Sequence, residues 1–443
     1  MNHTNNSEQN ENEQKNENYE FLKETIKERP VDRKKLLQKA GFLAAGGILF
    51  GFMAAVTFAY VAPEMLDNVA VHKNSYVDIP EDEEPDSTLS SLENEEISKE
   101  ELHQREEALK HAAVMDSMEE GKLTLEDYEK LHLKLTGNIE ETKRSMVTVT
   151  GSVNNEAWFQ NPSENQITGL IVAENEQDMF ILTEYRIVKN VDRIQVVFYD
   201  GFSIDARFQK ADKNTGYTIL KVPLEEIPQK TKNEIKTAPL GNSYGVCQGE
   251  PVVAIGSPMG YSDSVTYGII TSISNTVQKI DSEYGILTTD IVGAADASGI
   301  ITNLHGEVVG IIAQSFARED MKNIITCLAI SQTKELIEAL SNDSDIPYVG
   351  IVGKTVTADV SDQKGIPKGV FVENVEVDSP AMQAGIKNAD VIVELNGQNI
   401  NDLKKYQQEL KKCKGGSQIK LKAMRQGTEG YVEVEFEVTV GVY

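Results

Sequence analysis

The stretch GEPVVAIGSPMG, residues 249–260, followed closely by VTYGII, residues 265–270, decides the fold. Pro251 to Ile255 is a short apolar run rich in β-branched side chains, closed by Gly256, Pro258 and Gly260. A run of that length between Gly and Pro reads as a buried strand, because a helix needs about ten residues or more. A second strand, Val265–Ile273, starts too soon afterwards for any helix to lie between them. The same texture extends in both directions. Upstream it predicts strands at Met146–Thr150, Gly169–Val172, Met179–Thr183, Ile194–Tyr199 and Tyr217–Val222. Downstream it predicts Ile286–Thr289, Gly299–Thr302, Val308–Ile312 and Thr326–Ile330. Many short strands without intervening helices mean barrels or a sandwich.

A helix, Ser331–Leu340, closes this region, and the cluster Ser341–Asp345 before Pro347 marks a domain boundary. Beyond it come strands at Val370–Val375, Val391–Leu395, Ile419–Ala423 and Tyr431–Val440. A short turn-helix at Pro380–Ala384 lies among them, and a longer helix starts at the N-cap residue Asp402 and runs to about Lys412. That is a small α+β domain.

The whole chain has 443 residues, with 43 Lys and Arg against 70 Asp and Glu, a net charge of −27. The length predicts two or three domains. The acidic balance argues against nucleic acid as a partner. Cys247, Cys327 and Cys413 are too few and too scattered for a disulfide scaffold or a zinc site, and no cofactor or metal is implied.

The charge is unevenly placed. Residues 1–40 are neutral overall; the first 20 read as a disordered tail, and seven of the 17 residues Lys23–Lys39 are basic. Residues 41–62 carry no charge at all over 22 positions, enough for a helix to cross a bilayer core of about 30 Å. With basic residues before and acidic ones after, the span is oriented with the N-terminus cytoplasmic and the rest outside. Residues 63–140 hold −15 of the net charge. Within them DIPEDEEPD, residues 78–86, reads as a solvated spacer, and helical periodicity from Ile97 to Leu135, broken at Gly121, reads as a stalk that packs between subunits.

From about residue 144 onward the chain resembles the HtrA family, a trypsin-like double β-barrel serine protease followed by a PDZ domain. Seven segments in order carry the likeness. Ile181-Leu182-Thr183 falls where the family has I-L-T-N-x-H-V, and Asp200-Gly201 where it has a D-G turn. Thr218 to Val222 takes the place of D-L-A-V-L-K, and Pro239 to Ser243 that of L-G-D-S. Gly249 to Gly260 matches G-x-x-V-x-A-I-G-N-P-x-G, Val265 to Ile270 matches V-T-x-G-I-V-S, and His305 to Ile311 matches D-G-x-V-I-G-I. In the last domain Tyr348-Val349-Gly350-Ile351 resembles the loop that takes a peptide carboxylate, Val377 to Ile386 the S-P-A-x-x-A-G turn-helix, and Asp390-Val391-Ile392 the G-D-x-I strand. The implied order is a tail (1–40), a span (41–62), an acidic stalk (63–140), a protease-fold domain (144–342) and a PDZ domain (346–443).

The resemblance implies a Ser-His-Asp triad, and this chain departs from it. Arg186 stands where the family has its histidine, and a guanidinium stays protonated and cannot act as a base. Gly216 stands at the aspartate position. Counting forward from Asp290 puts Ser298 on the nucleophile; counting back from Asn303 puts Ala297 there. We favour Ser298 as a remnant nucleophile, because Ser-Gly then aligns. In that register Asp296 replaces an oxyanion-hole glycine, where a carboxylate opposes the charge that develops. His305 reads as a surface turn residue, and no spacing supports Lys189 or Lys221 as a substitute base.

The PDZ machinery is better kept. Such domains bind an extended peptide as an added strand while backbone N–H groups capture its C-terminal carboxylate. Tyr348, Val349, Gly350 and Ile351 would form that loop, with Leu403 and Tyr406 on the helical wall of the groove, or simply in the core. Three functions stay open at this point. The first is a catalytically dead, membrane-anchored HtrA-like protein that binds exported or misfolded polypeptides in envelope quality control. The second is an active serine endopeptidase with a non-standard base, and the third an envelope assembly or structural protein. The family's trimer would rest here on Trp158 and Phe159, which could equally pack on their own barrel.

Overall fold

A computed structural model describes residues 76–83, 124–153 and 166–443, all within one compact unit, His72–Tyr443. The tail 1–40, the segment 41–62, most of the acidic stretch, Trp158 and Phe159 lie outside the described residues. Among the described residues no helix is long and apolar enough to cross a membrane.

Helix α1 (Leu125–Lys143) opens on a capping box: Thr124 accepts from the Asp127 N–H while the Asp127 side chain reaches back to the cap. Its C-terminal end docks through buried Ile139 and Thr142, and Asn138 donates to the Leu304 carbonyl at 2.9 Å. The first barrel region comprises β1 (Met146–Ser152), β2 (Gln166–Glu174), β3 (Asp178–Glu184), β4 (Arg193–Val197), β5 (Ser203–Asp205), β6 (Arg207–Ala211) and β7 (Tyr217–Pro223). These form one antiparallel sheet ordered β5-β4-β1-β2-β3-β7-β6. Its two edge strands are separated in sequence by Ala206 alone, so the sheet must curl round on itself. After the short helix α2 (Gln229–Glu234) come β8 (Pro251–Ser257), β9 (Ser264–Lys279), β10 (Ser282–Val292), β11 (Ser298–Thr302), β12 (Val308–Ile312) and β13 (Ile324–Ala329). They close a barrel in the order β10-β13-β12-β11-β8-β9. Helix α3 (Ile330–Ser341) follows.

The apolar runs are continuous, not alternating, because both strand faces are buried. In β8, Val252 and Ala254 point into the second barrel, whereas Val253 and Ile255 face the seam between the two sheets. The period of two is present, but each face meets a core. In β3, likewise, Ile181 fills the first sheet's interior and Phe180 and Leu182 fill the seam.

The C-terminal region contains β14 (Pro347–Tyr348), β15 (Ile351–Thr355), helix α4 (Ala358–Lys364), β16 (Val370–Val375), helix α5 (Pro380–Ala384), β17 (Val391–Leu395), β18 (Gln398–Asn399), helix α6 (Leu403–Lys411), β19 (Gln418–Gln426), β20 (Tyr431–Thr439) and β21 (Gly441–Val442). Asp402 caps α6 as expected, accepting from the Lys405 N–H at 2.7 Å.

Two features depart from the sequence reading. Residues 76–83, which the acidic run marked as solvated spacer, lie against α3. Val77 and Ile79 are buried in the seam core, Asn342 pairs with both polar groups of the Val77 backbone, and Asp82 bridges to Lys334 at 2.8 Å. Charge density alone suggested solvation, but the two apolar residues and this one ion pair supply the anchor. Second, β9 and β10 run well past their apolar segments as a polar ribbon ending at Ile280 and Asp281. The ribbon is mostly polar, and with only Val277 and Tyr284 turned toward the core it leaves little apolar pattern to read.

The Asp82 and Lys334 side chains are 15% and 5% exposed. Removing one partner of such a buried pair costs about 3 kcal/mol. Asp82→Ala should therefore lower the urea midpoint of the full chain, and adding Lys334→Met should recover most of the loss.

Candidate active site and peptide groove

The residues at the expected triad positions sit on neighbouring turns. Arg186 lies in a 3-10 turn, Tyr185–Ile187, directly after β3. The Tyr185 N–H donates to the Gly216 carbonyl at 2.7 Å, which holds these two turns together. Gly216 adopts φ +75° with open space where a Cβ would stand. No crowding therefore explains the missing carboxylate; the position simply has no side chain.

Arg186 bridges the two barrels. Its Nε donates to Glu184 at 2.7 Å and an Nη to the Asp296 carbonyl of the second barrel at 3.3 Å. Glu184 belongs to the site and was not singled out from the sequence. It occupies the asparagine position of I-L-T-N, and its charge opposite Arg186 two residues on was the available signal. Burial raises the Glu184 carboxyl above the ordinary range, Arg186 pulls it back and Asp296 adds to the rise. Tyr217, next to Gly216, is fully buried; desolvation first and the Glu184 charge second push its hydroxyl well above the usual tyrosine value.

Ser298 lies two residues beyond Asp296 and is buried. It starts β11 in register with Ser257 of β8 and is 3% exposed. Its hydroxyl accepts from the Thr168 N–H at 3.4 Å, and no base reaches it among the described residues. The alternative position fares no better, since Ala297 packs into the interior of the second barrel. The loop between β10 and β11 is closed on itself. The Ala297 N–H goes to the Ala294 carbonyl at 3.1 Å. Gln314 tightens this loop: its amide nitrogen reaches the same Ala294 carbonyl at 3.4 Å and its oxygen takes the Thr326 N–H at 2.8 Å. Gly299 follows at φ +124°, where a Cβ would stand 2.2 Å from the Ile255 carbonyl oxygen; only glycine allows β11 to approach β8 so closely. Asp296 lies on this loop with its backbone carbonyl, not its carboxylate, engaged by Arg186. His305 is exposed on its turn with Asn303 accepting from its N–H. Lys189 is exposed, and Lys221 sits within β7 opposite Phe180.

The groove residues, by contrast, converge. Tyr348 pairs with Gly441 through β14 and β21 and its ring lies 4.3 Å from that of Tyr443. Gly350 takes φ +97°, and a Cβ there would meet Ser379 at 2.3 Å, so a side chain is excluded at this position. Val349, Ile351, Leu403 and Tyr406 are all fully buried in the domain core; for Leu403 this settles the choice between groove and core. The N–H groups of Val349 and Gly350 point at one carboxylate oxygen of Asp281, at 2.8 and 2.7 Å, and the Ile351 N–H at the other, at 3.2 Å. The Tyr406 hydroxyl donates to the same carboxylate at 2.8 Å. Burial raises the Asp281 carboxyl, and these four donors hold it back toward the ionised form. Nothing local in the sequence marks Asp281, which lies far from the loop along the chain.

Residues 167–311 match the family model for a trypsin-like peptidase domain and residues 347–436 that for a PDZ domain. Over 273 residues the chain is 30% identical to a probable periplasmic serine endoprotease, DegP-like, of Halomonas elongata, covering 60% of this chain and 55% of that protein. It is 28% identical over 282 residues to the serine protease Do-like HtrB of Bacillus subtilis, covering 59% of each. The chain thus spans just over half the length of these curated relatives. Solved structures of the HtrA-type protease AlgW with decapeptide and with tripeptide share the fold, at TM-scores of 0.50 and 0.51 and 19% identity, over 70% of this chain and 98% and 97% of theirs. With a trypsin-like domain, a PDZ domain after it and HtrA and DegP relatives across both, the chain belongs to the HtrA-like family.

Proposed function

We propose that this chain is a catalytically inactive, membrane-anchored HtrA-like protein that binds exported or misfolded polypeptides through its PDZ domain in envelope protein quality control. The carrying observation is Arg186. A permanent cation occupies the place of the general base and ties the two barrels together through Glu184 and the Asp296 carbonyl. A serine needs a neighbouring group that can accept its proton, and Ser298 instead has a backbone N–H pointing at its oxygen. The charge-free segment 41–62 supports anchoring with the N-terminus cytoplasmic and domains 144–342 and 346–443 outside. Homotrimer formation rests on the family resemblance alone. The ligand class follows from the N–H cradle at residues 349–351, which suits a polypeptide C-terminus. A second reading, an envelope assembly or structural protein that takes no peptide, is favoured by the fact that this cradle is already filled.

A fluorophosphonate probe should leave Ser298 of the full chain unlabelled, and β-casein should stay intact over hours. Labelling that disappears in Ser298→Ala would overturn inactivity. The double variant Arg186→His with Gly216→Asp should also fail to cleave casein, because the Ser298 hydroxyl stays buried and turned to the Thr168 N–H. Turnover in that variant would mean that the loop rearranges and that only the base had been lost.

A further inference from the structure

The polar ribbon of β9 and β10 has no part in the barrel's closure, yet its tip makes the most fully satisfied polar contact between the barrel and the C-terminal domain. Ile280 bridges Val352 in antiparallel register, and the Asp281 N–H donates to the Ile351 carbonyl at 2.7 Å. The tip therefore lies along β15 as a short added strand, the backbone pairing that an extended peptide would make there. On the other side the ribbon meets α6: the Glu283 N–H points at the Gln407 side-chain oxygen at 3.4 Å and Tyr406 reaches Asp281. From the barrel, Asn214 donates to the Ile280 carbonyl at 2.8 Å. Asp281 takes φ +56°, a left-handed conformation that aspartate tolerates better than most residues, and this turns its carboxylate into the three N–H groups of residues 349–351.

We propose that the ribbon tip is the groove's built-in ligand: the Asp281 side chain stands in for a terminal carboxylate, Ile280 and Asp281 stand in for the peptide's last strand residues, and an external C-terminus must displace them to bind. This rests on the reading of residues 348–351 as a peptide site. The partner chemistry follows directly: an extended polypeptide with a free, unamidated C-terminus that pairs with β15. Because the competitor is part of the same chain, its effective concentration is high and independent of dilution. The apparent affinity for an outside peptide falls by the fraction of time the groove stands open. Departure of the tip also leaves a polar ribbon in solvent whose other end, through β10, leads into the loop that carries Asp296.

The test is equilibrium binding of fluorescein-labelled decapeptides ending in Val, Leu, Ile or Phe, each with a free carboxylate or as the amide, to the full chain and to its Asp281→Ala and Asp281→Asn variants. If the tip occupies the groove most of the time, Asp281→Ala binds free-carboxylate peptides about tenfold more tightly than the parent, Asp281→Asn falls between them, and the amides gain nothing. Equal dissociation constants for parent and variants would overturn occupancy by the tip while leaving peptide binding intact. An absence of binding in all three would remove the peptide site itself, and the competition with it. Hydrogen exchange on the unaltered chain decides the matter even if a variant fails to fold. Saturating peptide should accelerate exchange at the Asp281 and Glu283 amides, and unchanged protection at saturation would overturn the proposal.

Discussion

The apolar seam between the two sheets holds the described part of the molecule together. Leu170 and Val172 of β2, Phe180 and Leu182 of β3, and Tyr217 and Ile219 of β7 meet Val253 and Ile255 of β8, Ile300 of β11 and Ile311 of β12 there. The same cluster takes in Ile330, Ile337 and Leu340 of α3, Ile139 of α1, and Val77 and Ile79 of the upstream segment. Each sheet alone would expose one apolar face, and joining them removes both from water at once. Strand positions, the docking of both flanking segments and the placement of the cleft all follow from that burial.

A cleft above such a seam is where a trypsin-like fold puts its chemistry, and in this chain the seam persists while Arg186 and Gly216 stand where the resemblance implies a histidine and an aspartate. Arg186, Glu184 and the Asp296 carbonyl now make a polar tie across the two halves. The loop before Ser298 turns its Ala297 N–H to its own Ala294 carbonyl and packs the Ala297 side chain inward. A fold can lose its reacting groups at little structural cost when the core that supports it lies elsewhere, and the fold by itself then says nothing about activity.

Much of this was legible along the chain. The runs around Pro251–Ile255 and Met179–Thr183 marked strands because four consecutive apolar residues, too few for a helix, admit little else. Asp402 marked a helix start because a side-chain acceptor there satisfies an N–H group that the helix leaves free. Arg186 and Gly216 stood out because they lie at fixed offsets from recognisable strands, where the resemblance implies a histidine and an aspartate. What stayed hidden was short or polar: β5 and β6, with few buried side chains; the docked segment 76–83, masked by its acidic neighbours; and the far ends of β9 and β10.

The amino-acid sequence alone determined the two-domain order, the trypsin-like and PDZ resemblance, the arginine where that resemblance implies a histidine, and the presence of a charge-free segment. Each of these is written in local composition or in spacing along one stretch. The tertiary structure alone showed that the Ser298 hydroxyl meets the Thr168 N–H and that Ala297 packs into the second barrel. It alone revealed that the carboxylate in the Tyr348–Ile351 loop comes from Asp281. Hydrogen bonds between groups so far apart in the chain depend on how two domains meet, and no local pattern of side chains carries that information.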